Sequence, residues 1–357
     1  MKRLPLAIVL AGLFLFLVIE VSVRQAVLLM VGVGMGATLA GARFGFTTGW
    51  RQLVEARDPQ GVAGQVLLLA LATLAALPLM AGFSELHGAL GPPSVSLLIG
   101  AFVFGLTMQI ADGCGSGTLY KAGLGVPLNM AILPLFAVGS FLGSVHLDRW
   151  LALGQVEPVS LAEQFGTPAA LVLTLVLLGA VLALARWWVG PGKTWIGKRW
   201  MVGAVLLAVL ATLNLLLAGL PWGVVYGFGL WAAKGAVALG MFDPQSNPFW
   251  SQPGNAQRLA QTVFMDVTSI TNIGILGGAF WISARTPANA KPLTGPQWLV
   301  GLIAGFVMGY SSRLAFGCNI GAMLSGISTG SLHGWIWVPL AFAGTLVGLR
   351  VRRHYGF

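Results

Sequence analysis

Residues 111–118 read Ala-Asp-Gly-Cys-Gly-Ser-Gly-Thr, and residues 315–321 read Ala-Phe-Gly-Cys-Asn-Ile-Gly. Each segment interrupts a long apolar run and carries one of the two cysteines in the 357-residue chain. Glycine costs about 1 kcal/mol relative to alanine inside a helix, so this density of glycine predicts unwound backbone. In a bilayer such backbone is tolerated only where protein buries it or a cavity hydrates it. We therefore expect re-entrant or broken helices at both cysteines.

The composition around these segments is that of a membrane protein. Apolar residues make up 57% of the chain and charged residues only 8%, which excludes an ordinary soluble domain. A spanning helix needs roughly 20 mainly apolar residues, so the sequence predicts an all-α, polytopic helical membrane protein. Eleven apolar runs lie near residues 4–20, 24–44, 62–82, 94–112, 128–147, 167–188, 201–219, 222–240, 258–283, 297–315 and 333–351.

The net charge of +10 comes from Lys and Arg concentrated at the ends of these runs. The positive-inside rule explains most of this surplus and places the amino terminus in the cytoplasm, so no nucleic-acid partner is implied. Eleven full crossings would leave the basic tail outside. At least one run therefore does not cross fully, and the runs around the cysteines are the first candidates.

A basic, tryptophan-rich connector at 186–200 divides the chain into a first transmembrane repeat with a connecting helix, 1–185, and a second transmembrane repeat, 201–357. Superposing the cysteines gives an offset of 318 − 114 = 204 residues. Internal repeats of this kind build the central sites of many transporters, in parallel or inverted arrangement. The matched residues are Phe102, Gly105, Cys114 and Gly117 with Phe306, Gly309, Cys318 and Gly321, and, after a one-residue insertion, Pro134, Gly139 and Gly143 with Pro339, Gly344 and Gly348.

Each cysteine stands at the start of a short helix, where free backbone N–H groups and the helix dipole favour anions. We expect mostly neutral thiols that donate weak hydrogen bonds to a soft, sulfur-bearing anion. Lys121 and Arg313 could neutralise its charge. The candidate substrate-binding residues are Cys114, Gly115, Ser116, Gly117, Lys121, Arg313, Cys318, Asn319 and Gly321.

Simpler interpretations of the same residues remain open. A cysteine in a membrane helix is often a small apolar filler, and a disulfide or redox role is a further alternative. Ser116 and Asn319 could be helix caps, and Asp112 could pair with Arg313. No nucleotide-binding or hydrolase motif occurs, so we expect no enzyme activity, no cofactor and no metal.

The two cysteine motifs and the duplicated hydropathy resemble the YeeE/YedE family of sulfur-transport membrane proteins, which includes thiosulfate permeases. The resemblance implies a multi-pass protein of the bacterial inner membrane that takes up thiosulfate or a related sulfur-containing anion. It also implies that Cys114 and Cys318 relay the anion between two vestibules, beside a TusA-like cytoplasmic sulfur-carrier protein. An alternative is a membrane-embedded thiol component that passes sulfur or selenium to such a carrier. Gly45 stands where the family often has a further cysteine, which puts the exact anion in doubt.

Overall fold

The computed structural model describes residues 3–284 and 292–357. Within these residues the chain is helical and forms no strand, only two isolated bridges between loops, so the all-α prediction is confirmed. The helices are α1 (Arg3–Glu20), α2 (Val23–Gly41), α3 (Phe46–Ala56), α4 (Gln60–Gly82), α5 (Val95–Ile110), α6 (Gly115–Gly123), α7 (Pro127–Val145), α8 (Leu147–Leu151), α9 (Leu161–Phe165), α10 (Thr167–Val189), α11 (Lys198–Ala218), α12 (Val225–Ala238), α13 (Pro253–Ala260), α14 (Val267–Ser283), α15 (Gly295–Leu314), a π-helix (Asn319–Gly326) and α16 (Leu332–His354), with 3₁₀ turns at Pro244–Ser246 and Val263–Met265.

Eight helical segments of the described chain are long and apolar enough to span a bilayer. Three of them are α2 with α3, α5 with α6, and α15 with the π-helix. The remaining five are α4, α7, α10, α11 and α16, and α1 and α14 are shorter apolar helices. The chain is therefore a multi-pass membrane protein, and each of the eleven predicted runs corresponds to a helix.

Contacts near the helix ends assign these ends to two opposite faces of the protein. On one face, which we call the basic face, Arg51, Lys121 and Arg352 meet at Asp112. On the opposite face, the contacts are Arg24 to the Ala218 carbonyl, the His87 N–H to the Gly219 carbonyl, the Ala89 N–H to the Thr329 hydroxyl, and Trp150 to the Tyr310 hydroxyl.

Among the helices that correspond to the eleven predicted runs, α12 does not connect the two faces. It has 14 residues, about 21 Å at ~1.5 Å per residue, which is less than the roughly 30 Å hydrocarbon core. It follows α11, which ends on the opposite face, and precedes α14, which begins there. Helix α12 thus accounts for one run that does not cross fully, and the basic tail lies on the basic face. Partial crossing of the runs beside the cysteines stays a prediction.

Helices α5 and α15 run in opposite directions between the faces and make reciprocal contacts, α5 with α16 and α7 with α15. A Cβ added to Gly105 would overlap the backbone of Ala341, and one added to Gly309 would overlap the backbone of Phe136. Gly309 follows Gly105 by 204 residues, and Ala341 follows Phe136 by 205 residues, as in the sequence comparison. These contacts support an inverted duplication, which we propose. The same offset relates two further pairs of contacts. Gly139 packs on Phe306 as Gly344 packs on Phe102, and Gly143 packs on Tyr310 as Gly348 packs on Leu106.

The close helix contacts predict a glycine-specific loss of stability. Gly105→Ala should lower the free energy of unfolding by about 1–3 kcal/mol, because its Cβ has no space without a backbone shift. Gly179→Ala is the matched control, since a Cβ there meets nothing within 4 Å and alanine favours the helix by about 1 kcal/mol. Thermal unfolding of both variants in detergent measures the difference. Equal unfolding temperatures would contradict the packing described.

Candidate functional site

The backbone reverses two residues before each cysteine. Asp112 and Phe316 both have a left-handed conformation, with φ of 54°, and they occupy equivalent positions in the two halves. This conformation is uncommon for a bulky residue such as phenylalanine. After each reversal a short helix begins, with Cys114 preceding α6 and Cys318 preceding the π-helix. The helix is therefore interrupted at each cysteine, and in the second segment Gly317, with φ of 148°, joins Phe316 at positive φ.

Glycine follows each reversal for a steric reason. A Cβ at Gly113 would lie 2.9 Å from the Thr118 nitrogen, and one at Gly317 would lie 2.5 Å from the Ala322 nitrogen. Any larger residue would strike the first turn of the following helix. The dense glycines predicted by the sequence thus permit the chain to turn sharply into each short helix.

The two cysteine segments meet at the start of α6. A Cβ at Gly115 would lie 3.1 Å from the Cys318 sulfur. The N–H of Ile320 donates to this sulfur at 3.4 Å, and the N–H of Ser116 faces it from the other half. The Cys114 sulfur contacts the Ser116 hydroxyl at 3.5 Å. Two helix amino termini, one from each half, therefore converge on neighbouring sulfurs.

Both thiols are closed off from solvent. Cys114 is 1% exposed and Cys318 is 0% exposed. Both are free cysteines, so the disulfide alternative is not what the structure contains. We refer to this closed region around the two sulfurs as the constriction; in this conformation a solute can reach the sulfurs only when the surrounding segments move.

Buried polar groups next to the thiols lack partners. Neither side-chain polar atom of Asn319 has a hydrogen bond, and the Thr118 hydroxyl has none. Asn319 is 0% exposed, and an unsatisfied buried amide is costly. Asn319 is therefore not a helix cap held by its side chain. Its free amide can hydrogen-bond a ligand that enters the constriction.

The two predicted cationic residues lie at different faces. Lys121 contacts Asp112 at 2.6 Å on the basic face. Arg313 lies on the opposite face, with its guanidinium over the Phe249 ring at 4.9 Å and the Tyr226 ring at 5.6 Å. The alternative of an ion pair between Asp112 and Arg313 is wrong.

The sequence missed three residues of this region. Arg51 and Arg352 contact Asp112 on the basic face, and Tyr226 contacts Arg313 on the opposite face. Arg51 and Arg352 lie 61 and 240 residues from Asp112 along the chain, and Tyr226 lies 87 residues from Arg313, so no local spacing indicates these contacts. Gly45 lies beside α6, since a Cβ there would be 3.4 Å from the Tyr120 hydroxyl. In the described residues, no group of three or more His, Cys, Asp or Glu could hold a metal ion.

The model of a family described as Sulphur transport matches residues 41–347. The chain belongs to this family. It is 24% identical over 339 residues to the thiosulfate transporter TsuA of Escherichia coli, an alignment that covers 88% of this chain and 91% of the relative. It is 28% identical over 334 residues to the thiosulfate transporter TsuA of Spirochaeta thermophila, covering 86% and 93%. The probable transporter YedE of Salmonella typhimurium is 26% identical over 164 residues, covering 44% and 39%.

Membership of a sulphur transport family, together with the apolar spans, makes this chain a multi-pass membrane transporter. The family match spans both cysteine segments. The resemblance inferred from the two motifs is therefore confirmed at the level of the family.

The contact between the segments predicts a steric block at Gly115. Gly115→Ala should reduce transport severalfold, because the new methyl group would lie 3.1 Å from the Cys318 sulfur. Gly117→Ala, in the same turn, should reduce transport less, because its methyl group would meet only the Cys114 sulfur at an ordinary 3.5 Å. Uptake of a radiolabelled sulfur anion into proteoliposomes compares the two variants. A larger defect in Gly117→Ala would contradict this geometry.

Proposed function

We propose that this protein takes up thiosulfate, or a closely related sulfur-containing anion, along a path that passes Cys114 and Cys318. The observation that carries the proposal is the convergence of two buried thiols at adjoining helix amino termini. A helix amino terminus favours negative charge without requiring a fixed cation. A weakly held anion can therefore both bind at this place and leave it.

The thiols select for a soft partner. A neutral S–H is a weak donor, and a terminal sulfur of the anion is polarisable and weakly hydrated, which suits such a donor. The N–H of Ser116 and the free amide of Asn319 offer harder donors for oxygen atoms. The two kinds of donor together match an anion that carries both sulfur and oxygen.

Passage requires the constriction to open, since both sulfurs are buried. The glycines around them allow the helix starts to separate by backbone rotation with little steric cost. In the proposed step, Cys114 and Cys318 exchange hydrogen bonds to the same anion, and no covalent bond forms. A cytoplasmic sulfur carrier of the TusA type is the proposed partner on the cytoplasmic side after release of the intact anion.

Transport assays on single cysteine variants test the proposal. Cys114→Ala and Cys318→Ala should each reduce [35S]thiosulfate uptake into proteoliposomes by at least about tenfold, roughly 1.4 kcal/mol, because each removes a donor at the constriction. Cys114→Ser is the matched control, because a hydroxyl donor of similar size should retain part of the uptake. Wild-type uptake rates in both alanine variants would contradict the proposal that the anion passes Cys114 and Cys318.

The same samples separate transport from sulfur transfer. A carrier should move the labelled anion without leaving label on either cysteine. A sulfur-transfer component has to form a persulfide on Cys114 or Cys318, which adds one sulfur atom to the peptide mass. Detection of that intermediate during turnover, with loss of turnover in the alanine variants, would favour the transfer function instead.

A further inference from the structure

Three cations converge on one carboxylate at the basic face. The Arg51 guanidinium lies 2.8 Å from Asp112 Oδ1, the Lys121 ammonium 2.6 Å from Oδ2, and the Arg352 guanidinium 3.5 Å from Oδ1. These side chains come from α3, α6 and α16, and Asp112 lies between α5 and α6. The cluster therefore joins elements from both halves of the chain.

The cluster is not electrically balanced. Three positive groups and one carboxylate leave a formal charge of +2 at a place where each side chain is 27% exposed or less. Glu55, another carboxylate nearby, is 3.9 Å from Arg353 and adds no net charge with it. Uncompensated charge in partly buried surroundings is unfavourable. A divalent anion would balance this cluster.

An anion has room to reach the cluster. Asp112 and Arg352 line a cavity of about 670 Å³ together with Asn129, Gln297 and Trp298. Side-chain exposures of 15–27% show that the charged groups are close to solvent without being fully hydrated. Arg352 and Asp112 therefore face an open cavity in this conformation, whereas the thiols are buried; Arg51 and Lys121 contact Asp112 but are not part of the cavity lining.

The cluster is directly continuous with the thiol constriction. Asp112 lies two residues before Cys114, and Lys121 stands in the last turn of α6, whose amino end follows Cys114. An anion that passes Cys114 towards the basic face therefore comes next to these three cations.

We propose that Arg51, Lys121 and Arg352 form a second binding site for a divalent sulfur oxyanion, on the basic-face side of the thiols. The Asp112 carboxylate competes with the anion for the hydrogen-bond donors of these three side chains. The anion displaces the carboxylate when it binds, and the carboxylate takes the donors back when the anion leaves. This inference rests on the proposed function and gives the anion its last binding site before release.

Equilibrium binding of [35S]thiosulfate to the full-length chain in detergent tests the site without the thiols. The Cys114→Ala/Cys318→Ala double variant should still bind the anion. In that background Arg352→Gln should weaken binding by about tenfold. Arg350→Gln is the matched control, since it removes the same charge from an exposed position on the same helix, and binding should stay unchanged. Asp112→Asn should tighten binding by about tenfold and slow dissociation.

The outcomes separate this site from the thiol pathway. Equal weakening in Arg350→Gln and Arg352→Gln would show only a general effect of charge and would overturn the site. Loss of binding in a folded Asp112→Asn variant would show that the carboxylate supports the anion and would also overturn it. If Asp112→Asn does not fold, the two arginine variants decide alone.

These measurements distinguish a failure of the second binding site from a failure of the thiol pathway. Binding that disappears in the double cysteine variant, although wild type binds, assigns the anion to the thiols and overturns the second site only. Conversely, uptake can stay normal in both single cysteine variants while binding still depends on Arg352. This result would contradict the thiol pathway and would support the second site.

Discussion

Unwound backbone inside a bilayer has to find its hydrogen-bond partners within the protein. Both cysteine segments meet this constraint in the same way. The N–H of Gly113 bonds the Met108 carbonyl, and the N–H of Gly317 bonds the Ser312 carbonyl, so each chain reversal caps the helix before it. The N–H groups left free are then those at the start of the next short helix, which face the sulfurs. The anion binding that we propose at this place would follow from how the breaks are satisfied.

The breaks in turn depend on close helix packing around them. The reciprocal contacts of α5 with α16 and of α7 with α15 exclude lipid from the two segments because glycine lets the backbones touch. The central part of the bundle can therefore contain polar, irregular chain. A larger residue at Gly105 or Gly309 would separate these helices and expose the breaks.

The sequence predicted those parts that local composition determines. Glycine density around Cys114 and Cys318 predicted the breaks, and run length predicted a helix for each apolar segment. It could not show that Phe316 adopts a left-handed conformation, since that depends on packing. The partners of Asp112 could not be predicted from the sequence either, because Arg352 is 240 residues away along the chain. The run at 222–240 looked long enough to cross, but Pro221 and Gly223 delay the start of α12 until Val225. The roles of the candidate site residues stay predictions.

Differences between the two halves make the two faces of the proposed path chemically unequal. At the offset of 204 residues, Asp112 is equivalent to Phe316, and Gln109 is equivalent to Arg313. On the opposite face, Arg313 is held by aromatic rings, and no carboxylate of the described residues forms an ion pair with it. An anion that bound at Arg313 would therefore meet a cation without a competing carboxylate. On the basic face the cations already have Asp112, so an anion there must compete and is more easily replaced. An inverted duplication alone would make both directions equivalent. The carboxylate in only one of the two halves removes that equivalence, because an anion would compete with Asp112 only at the basic face, which the positive-inside rule places in the cytoplasm. The net direction of transport is set by the electrochemical gradient of the anion.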